Sequence, residues 1–211
     1  MSLASEEKGS RAWAKREQIL SGARQVFLRD GFAGASTDAI AAEARVSKRT
    51  LYSYYPGKEE LFADVLRRLT IENPQARVLD AVEGIEPRTL EELREVLVGL
   101  ASRVATVMMD PDYLAILRTI IADTHRFPQL GEIYRDTVPE RGFRVFLALM
   151  ERVQERGIVD VPDAEAATRL FFGPLVTYAL LDGLFRPGER PQPPEREKIE
   201  HIVDLYMKAI A

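Results

Sequence analysis

Apolar side chains recur at helical spacing along almost the whole chain. Valine, isoleucine and threonine do not alternate with polar residues over any long stretch, so the signals for β-strands are weak. The pattern predicts an all-α protein of roughly nine helices, packed as a bundle. The first is expected over residues 12–29, and its apolar positions share one helix face: Ile19, Ala23, Val26 and Phe27.

Two short helices joined by a tight turn are expected next. The first covers residues 37–44 and the second covers residues 48–54, and each follows a residue suited to capping a helix, Ser36 or Thr37 in one case and Ser47 in the other. Small apolar side chains on their inner faces allow the two helices to cross closely. This arrangement is a helix-turn-helix.

The remainder reads as further helices separated by proline and glycine, and Lys58 begins the first of them. The last two long helices are expected over residues 163–185 and 194–210. We therefore divide the chain into three parts. These are a disordered tail over residues 1–11, a helix-turn-helix domain over residues 12–58, and a helical body over residues 59–211.

Charge separates the first quarter from the rest. Residues 1–58 carry ten basic and six acidic side chains, a net charge of +4, so the remainder carries −8 of the total of −4. A basic head on an acidic body suggests that the head binds a polyanion. The outer face of the helix over residues 48–54 presents hydrogen-bond donors without a carboxylate, which is the chemistry required in the major groove of DNA. Its members are Lys48, Arg49, Thr50, Tyr52, Ser53 and Tyr54.

Composition excludes several classes of function. The chain has no cysteine and two histidines, so a disulfide framework, a thiolate metal site and a zinc site with several imidazole ligands are not expected. No run of 18 apolar residues is present, so we expect no membrane span and a cytoplasmic protein. No paired acid and base or nucleophile motif stands out, so we expect neither an enzyme nor a cofactor.

The order of residues between about 12 and 66 resembles the N-terminal domain of TetR-family transcriptional regulators. The resemblance rests on Asp-Gly-Phe after the first helix and on Val-Ser-Lys-x-Thr-Leu-Tyr-x-Tyr-Tyr-x-x-Lys-Glu-Glu-Leu from Val46. Arg45 replaces the usual glycine of the turn, so we expect a strained backbone and an added phosphate contact there. Tyr55 replaces the usual phenylalanine and should keep its packing role. Residues 117–128 resemble the C-terminal domain of the AefR-like branch.

The resemblance implies a fold and a function. It implies a three-helix DNA-binding domain followed by a bundle for ligand binding and dimerisation. The protein would be a homodimeric repressor that binds an approximately palindromic operator of double-stranded DNA, dimerises through its last two helices and is released by a small effector. The family positions that contact DNA correspond to Ser36, Thr37, Ser47, Lys48, Thr50, Tyr52, Tyr54 and Lys58. Arg49, on the exposed face, is our candidate for reading a base.

Two questions stay open at this point. Residues that would line an effector pocket are equally consistent with an ordinary core, and an apolar lining would favour a hydrophobic effector. The candidates are Arg103, Met108, Arg118, His125, Phe143, Phe146, Met150, Phe172 and Tyr178. The alternative function is an all-α protein-interaction module that uses the helix-turn-helix without specific DNA binding.

Overall fold

The computed structural model describes residues 3–70, 82, 84–137, 139–186 and 190–210. Helices make up 79% of the structure and the described ranges contain no strand, which confirms the predicted all-α class. A π-helical segment (Ala179–Leu184) continues α9. The helices are α1 (Leu3–Gly34), α2 (Thr37–Glu43), α3 (Lys48–Tyr54), α4 (Lys58–Thr70), α5 (Leu90–Met108), α6 (Pro111–Asp123), α7 (Gln129–Thr137), α8 (Pro139–Glu155), α9 (Ala164–Tyr178) and α10 (Arg196–Ile210).

The first helix begins earlier than the sequence pattern indicated. Residues 3–11 are helical, so the expected disordered tail over residues 1–11 differs from the structure, and residues 1 and 2 lie outside the described ranges. Leucine, alanine, glutamate and lysine dominate this stretch, and all four are strong helix formers. At its other end α1 is interrupted at Gly31, whose φ of 68° lies in the region that favours glycine.

The chain forms two compact units whose boundaries differ from the predicted domains. Unit 1 takes in the chain as far as Arg67 together with Ile116–Tyr134, and unit 2 takes in Arg68–Ala115 and the chain from Arg135 onward. The predicted boundary at residue 58 therefore falls inside unit 1. Unit 1 also includes the second half of α6 and most of α7, a helix that the sequence pattern did not indicate.

Aromatic side chains form the centre of unit 1. Phe27 and Phe32 each meet the ring of Phe62 edge to face, with centroids 5.0 and 5.3 Å apart, and all three side chains are fully buried. Phe127, which follows α6, packs against Phe32 at 5.3 Å. Rings packed in this way contribute stability beyond their buried area, so the α1–α4 pair is fixed at this end.

A close approach of α1 to α2 positions the helix-turn-helix. A Cβ atom placed on Gly22 would lie 2.7 Å from the backbone nitrogen of Ala44 and 2.8 Å from its Cα, well inside contact distance. One turn earlier on α1, the side-chain nitrogen of Gln18 donates to the Ala44 carbonyl at 2.6 Å. The start of the turn between α2 and α3 is thus held against α1 by packing and by a hydrogen bond.

Unit 2 is built around one apolar core to which α5, α8, α9 and α10 contribute. Thr89 caps α5 by accepting a hydrogen bond from the Glu92 amide at 3.1 Å. An ion pair between Arg94 and Asp204, at 2.6 Å, connects α5 to α10. Asp163 caps α9 by accepting a hydrogen bond from the Ala166 amide, and Pro174 lies within that helix.

Candidate DNA-binding site

Serine side chains cap both helices of the helix-turn-helix, as predicted. Ser36 Oγ accepts a hydrogen bond from the amide of Ala39 at 3.1 Å, and Ser47 Oγ accepts one from the amide of Thr50 at 3.0 Å. Each cap satisfies an amide that has no partner within its helix. Both serines are exposed, so each cap also places a hydroxyl on the surface of the motif.

The turn between α2 and α3 has a left-handed residue at Arg45. Its φ is 52°, which makes it the one non-glycine residue with positive φ in the described ranges. The amides of Arg45 and Val46 donate to the carbonyls of Ala42 and Ala41 at 3.0 and 2.9 Å, the pattern of a Schellman motif. The expected backbone strain at Arg45 is therefore confirmed, and its side chain is exposed.

The exposed face of α3 is polar, and hydrogen bonds hold part of it in place. Tyr52 is 51% exposed, and its hydroxyl lies 3.0 Å from Thr37 Oγ1 on α2. Ser53 Oγ donates to the carbonyl of Thr50 at 2.6 Å. The side chain of Arg49 is exposed and has no ion pair or hydrogen bond within the described part of the chain. Leu51, on the opposite face, is fully buried.

Carboxylates beside the motif orient its basic side chains. Asp38, in the first turn of α2, forms an ion pair with Lys48 at 2.5 Å, and both side chains are 59% exposed. Glu43, at the end of α2, pairs with Arg29 of α1 at 3.0 Å. A DNA phosphate would therefore compete with Asp38 for the ammonium group of Lys48.

Lys58 does not present its ammonium group in the way that the sequence suggested. Its Nζ donates to the carbonyls of Phe32 and Ala35 at 3.0 and 3.3 Å and lies 4.4 Å from the centroid of the Phe32 ring. Carbonyls at the end of a helix lack partners within it, and a lysine can satisfy them. Two of the three ammonium donors are therefore used inside unit 1, and the expected DNA contact of Lys58 stays a prediction.

Tyr55 anchors the C-terminal end of α3. Its side chain is 4% exposed, its hydroxyl donates to Asp64 at 2.9 Å, and that hydroxyl accepts from Arg16 Nε at 3.0 Å. Arg16 and Arg67 also pair with the carboxylate of Asp64. The expected packing role of Tyr55 is confirmed. Its polar partners lie on α1 and α4, so the sequence pattern around Tyr55 did not indicate them.

Burial and charge set the protonation of this network. Burial raises the pKa of Tyr55 to about 12, so its hydroxyl remains a donor at neutral pH. Burial also opposes the ionisation of Asp64. Hydrogen bonds from Arg16 and Tyr55 and the charge of Arg67 outweigh that penalty, so the pKa of Asp64 lies below its ordinary value. The carboxylate is therefore charged at neutral pH and holds three elements together.

The residues predicted to line an effector pocket do not share one environment. Arg118 and His125 belong to unit 1, and the other seven belong to unit 2. Arg103 and His125 are exposed, and Tyr178 is half-buried at the end of α9. Each of these polar side chains has access to solvent, so their exposure does not distinguish them from ordinary surface residues.

The remaining pocket candidates meet in an aromatic cluster in unit 2. Phe143 and Phe146 on α8 lie 5.4 and 5.3 Å from Phe172 on α9, measured between ring centroids. The cluster continues through Phe171 and Tyr206, whose centroids are 5.3 Å apart. Phe146 is fully buried and Phe172 is half-buried, so the cluster extends from the core towards the surface.

A sulfur atom completes this cluster. The Tyr206 hydroxyl lies 3.5 Å from Met150 Sδ, and burial raises the pKa of Tyr206 above its ordinary value. Met108 packs against the same core. Phe171 and Tyr206 were not among the predicted pocket residues. Tyr206 nevertheless falls on the same apolar stripe of α10 as Val203 and Ile210.

Two family descriptions match the chain. Residues 19–65 match bacterial regulatory proteins of the tetR family, and residues 95–209 match the C-terminal domain of AefR-like transcriptional repressors. The second match covers more than half of the chain. The chain belongs to the TetR family. The resemblance to TetR regulators, including the AefR-like C-terminal domain, is confirmed.

Relatives within the TetR family match at different lengths. The transcriptional repressor SCO4008 of Streptomyces coelicolor is 49% identical over 55 residues, which span 26% of this chain and 29% of that protein. A TetR-family regulator from Mesorhizobium loti has a TM-score of 0.72 and 26% identity, covering 94% of this chain and 96% of its own. The flavonoid-responsive regulator FrrA has a TM-score of 0.67 and 27% identity, covering 93% and 97%.

Membership of the TetR family confirms the predicted function as a DNA-binding transcriptional regulator. The alternative of a protein-interaction module is not favoured. TetR-family regulators bind DNA, act as dimers and respond to small-molecule effectors. No helix in the described ranges combines the length and the apolar composition needed to cross a bilayer.

Proposed function

We propose that this chain represses transcription by binding an approximately palindromic operator as a homodimer, and that a small hydrophobic effector releases it. The observation that supports DNA binding best is the surface of α3. Capped at Ser47 and anchored at Tyr55, this helix presents Arg49, which has no side-chain partner among the described residues, beside the exposed Tyr52. An arginine free to form two parallel hydrogen bonds is the usual partner of guanine in the major groove.

Dimerisation through the two C-terminal helices has support from exposed apolar side chains. Leu170 is 50% exposed on α9, Leu181 and Phe185 are 57% and 68% exposed at its π-helical end, and Leu205 is 68% exposed on α10. Four large apolar side chains exposed on these two helices are therefore our candidates for an interaction surface. A second copy of the chain would cover them and form a four-helix bundle, and its two-fold symmetry would require two like half-sites in the operator.

The aromatic cluster of unit 2 is our candidate for the effector site. Phe172 forms its half-buried side, where an apolar compound could pack against the rings of Phe143 and Phe172. FrrA, a structural relative, is responsive to flavonoids. We therefore place planar aromatic compounds first among the effectors to be tested.

DNA binding is tested by selecting random duplex DNA with the purified protein and sequencing the bound pool. We expect a palindromic motif. Lys48→Ala should weaken binding to all sequences alike and lower the salt dependence, whereas Arg49→Ala should relax the preference at one base pair of each half-site. A pool without any motif would contradict specific operator binding, and equal weakening of all sequences by Arg49→Ala would contradict its base-reading role.

Dimerisation is tested by analytical ultracentrifugation at micromolar concentration. Leu205→Glu should convert the dimer to a monomer, because it places a carboxylate on the proposed apolar interface. Leu90→Glu, which changes another exposed leucine of unit 2, is the matched control and should leave the dimer intact. A wild-type monomer, or a dimer that tolerates Leu205→Glu, would contradict this interface.

The effector site is tested by titrating flavonoids into the complex of protein and selected duplex. Release of the duplex by wild-type protein, with a weaker response in Phe172→Leu, would support the aromatic site. The leucine keeps the position apolar but removes the ring. Release that is unchanged in the variant would show that the compound acts elsewhere.

A further inference from the structure

One stripe of α1 faces the turn of the helix-turn-helix. Residues spaced three or four apart lie on the same side of a helix, and Arg11, Lys15, Gln18 and Gly22 follow that spacing. Gln18 and Gly22 both contact Ala44, through the 2.6 Å hydrogen bond and the close backbone approach. The two basic residues therefore continue a stripe that is already held against the end of α2.

Hydrogen bonds extend from the turn to the first of these cations. Lys15 Nζ donates to Gln18 Oε1 at 2.8 Å, and Gln18 Nε2 donates to the Ala44 carbonyl. The side chain of Gln18 thus connects the ammonium group of Lys15 to Ala44, the residue that precedes Arg45. Arg11, one turn further along α1, is exposed and has no ion pair within the described residues.

The segment that contains Arg11 and Lys15 is basic and lies between two glutamates, Glu7 and Glu17. Between residues 8 and 16 the sequence contains four basic side chains and no acidic one. In the helix-turn-helix itself, by contrast, Lys48 is paired with Asp38, and Lys58 is bound to main-chain carbonyls. A surface that binds duplex DNA must neutralise several phosphates. Arg11 and Lys15 lie near the turn and would add to the cations available to those phosphates.

We propose that Arg11 and Lys15 of α1, together with Arg45, form a second DNA-binding surface that contacts the sugar-phosphate backbone beside the bases facing α3. Gln18 is a positioning residue that holds Lys15 against the turn. Contacts of this kind fix the register of the protein on the duplex and carry no base preference. The proposal rests on the proposed DNA-binding function and extends it to DNA that flanks the recognised motif.

The test uses the full chain and the duplex selected by the wild-type protein. That duplex is prepared trimmed to the motif and, separately, extended at both ends by about one helical turn, roughly 10 base pairs. Affinity is measured by fluorescence anisotropy over a range of salt concentrations. The variants are Arg11→Ala combined with Lys15→Ala, and Gln18→Ala alone.

We expect the double variant to bind the extended duplex more weakly than wild type and the trimmed duplex nearly as well. The salt slope on the extended duplex should fall by about 0.9 for each cation lost per protomer. Gln18→Ala should give a smaller change in the same direction. The matched control combines Arg88→Ala with Arg144→Ala, which removes two exposed arginines of unit 2 and should leave the difference between the two duplexes unchanged.

The contrary outcomes separate the two proposals. If wild type binds the duplex and the double variant has the same affinity and salt slope on both lengths, the α1 surface is wrong while the DNA-binding function stands. If the control pair weakens binding as much as the double variant, net charge rather than contact is responsible, and the surface is again overturned. If wild type selects no duplex, the proposed function fails and the surface fails with it.

Discussion

Gly22 tests whether the contact between α1 and the turn is as close as the structure indicates. A Cβ atom at this position would lie 2.7 and 2.8 Å from the backbone nitrogen and Cα of Ala44. Optimal carbon contacts are about 3.5–4.0 Å, so Gly22→Ala must push the two backbones apart by roughly 1 Å. Inserting a methyl group into a packed contact costs typically about 1–3 kcal/mol.

The same substitution also brings a gain, which a control isolates. Alanine is more favourable than glycine within a helix by about 1 kcal/mol. Gly99 lies within α5, and a Cβ added there meets no atom within 4 Å, so Gly99→Ala should show that gain alone. We expect Gly22→Ala to be neutral or to destabilise by up to about 2 kcal/mol, and therefore to be less stable than Gly99→Ala by about 1–3 kcal/mol.

The free energy of unfolding of both variants is measured by chemical denaturation followed by far-UV circular dichroism. The affinity for the duplex reports the effect on the turn. Gly22→Ala should weaken binding, because Ala44 directly precedes Arg45. Adding Ala44→Gly should not restore stability, since the backbone contacts at 2.7 and 2.8 Å remain when the Ala44 side chain is removed. If Gly22→Ala is as stable as Gly99→Ala, the close approach is wrong.

Three further predictions concern charged residues of unit 1. Arg45→Gly should raise the free energy of unfolding by about 1 kcal/mol, because glycine adopts the positive φ without a Cβ penalty, and a lower value in a denaturant melt would contradict this. Asp38→Asn should remove a carboxylate that competes for Lys48 and strengthen binding to duplexes without the motif; adding Lys48→Ala should abolish that gain, and an unchanged affinity would argue against the pairing. The pKa of Asp64 is lowered in the folded chain, so its contribution is complete above its ordinary value of 3.8 and is lost as the pH falls through the lower folded value. Asp64→Asn should therefore destabilise the protein at pH 7 and converge with wild type in acid melts, whereas a constant difference would contradict the assignment.

Local features of the helix-turn-helix could be predicted because their causes lie within a few residues. Ser36 and Ser47 cap helices whose first amides are two or three positions away, and the strain at Arg45 follows from a turn that usually has glycine. Lys58 could not be placed in this way. Its partners, the carbonyls of Phe32 and Ala35, lie more than twenty positions earlier, and they became available only because α1 is interrupted at Gly31.

The effector candidates show a second limit of sequence reasoning. Apolar residues at helical spacing mark a core and a cavity equally well, so Phe146 and Phe172 had the same signal although one is fully buried and the other is half-buried. Tyr206 joins them from α10 through the fold rather than through spacing. Residue type and periodicity do not encode which helices become neighbours. For that reason Arg118 and His125 were predicted to line one pocket together with residues of unit 2, although both belong to unit 1.

The discontinuous make-up of unit 1 limits how such regulators can be recombined. The ring of Phe127 packs on Phe32, and the carboxylate of Asp123 accepts a hydrogen bond from the Ala33 amide at 3.0 Å, so the second chain segment completes the fold of the first. A chimera that takes only its first 67 residues from one relative would pack them against the residues that another relative has in place of 116–134. Swapping operator preference between relatives therefore requires both segments to be transplanted together.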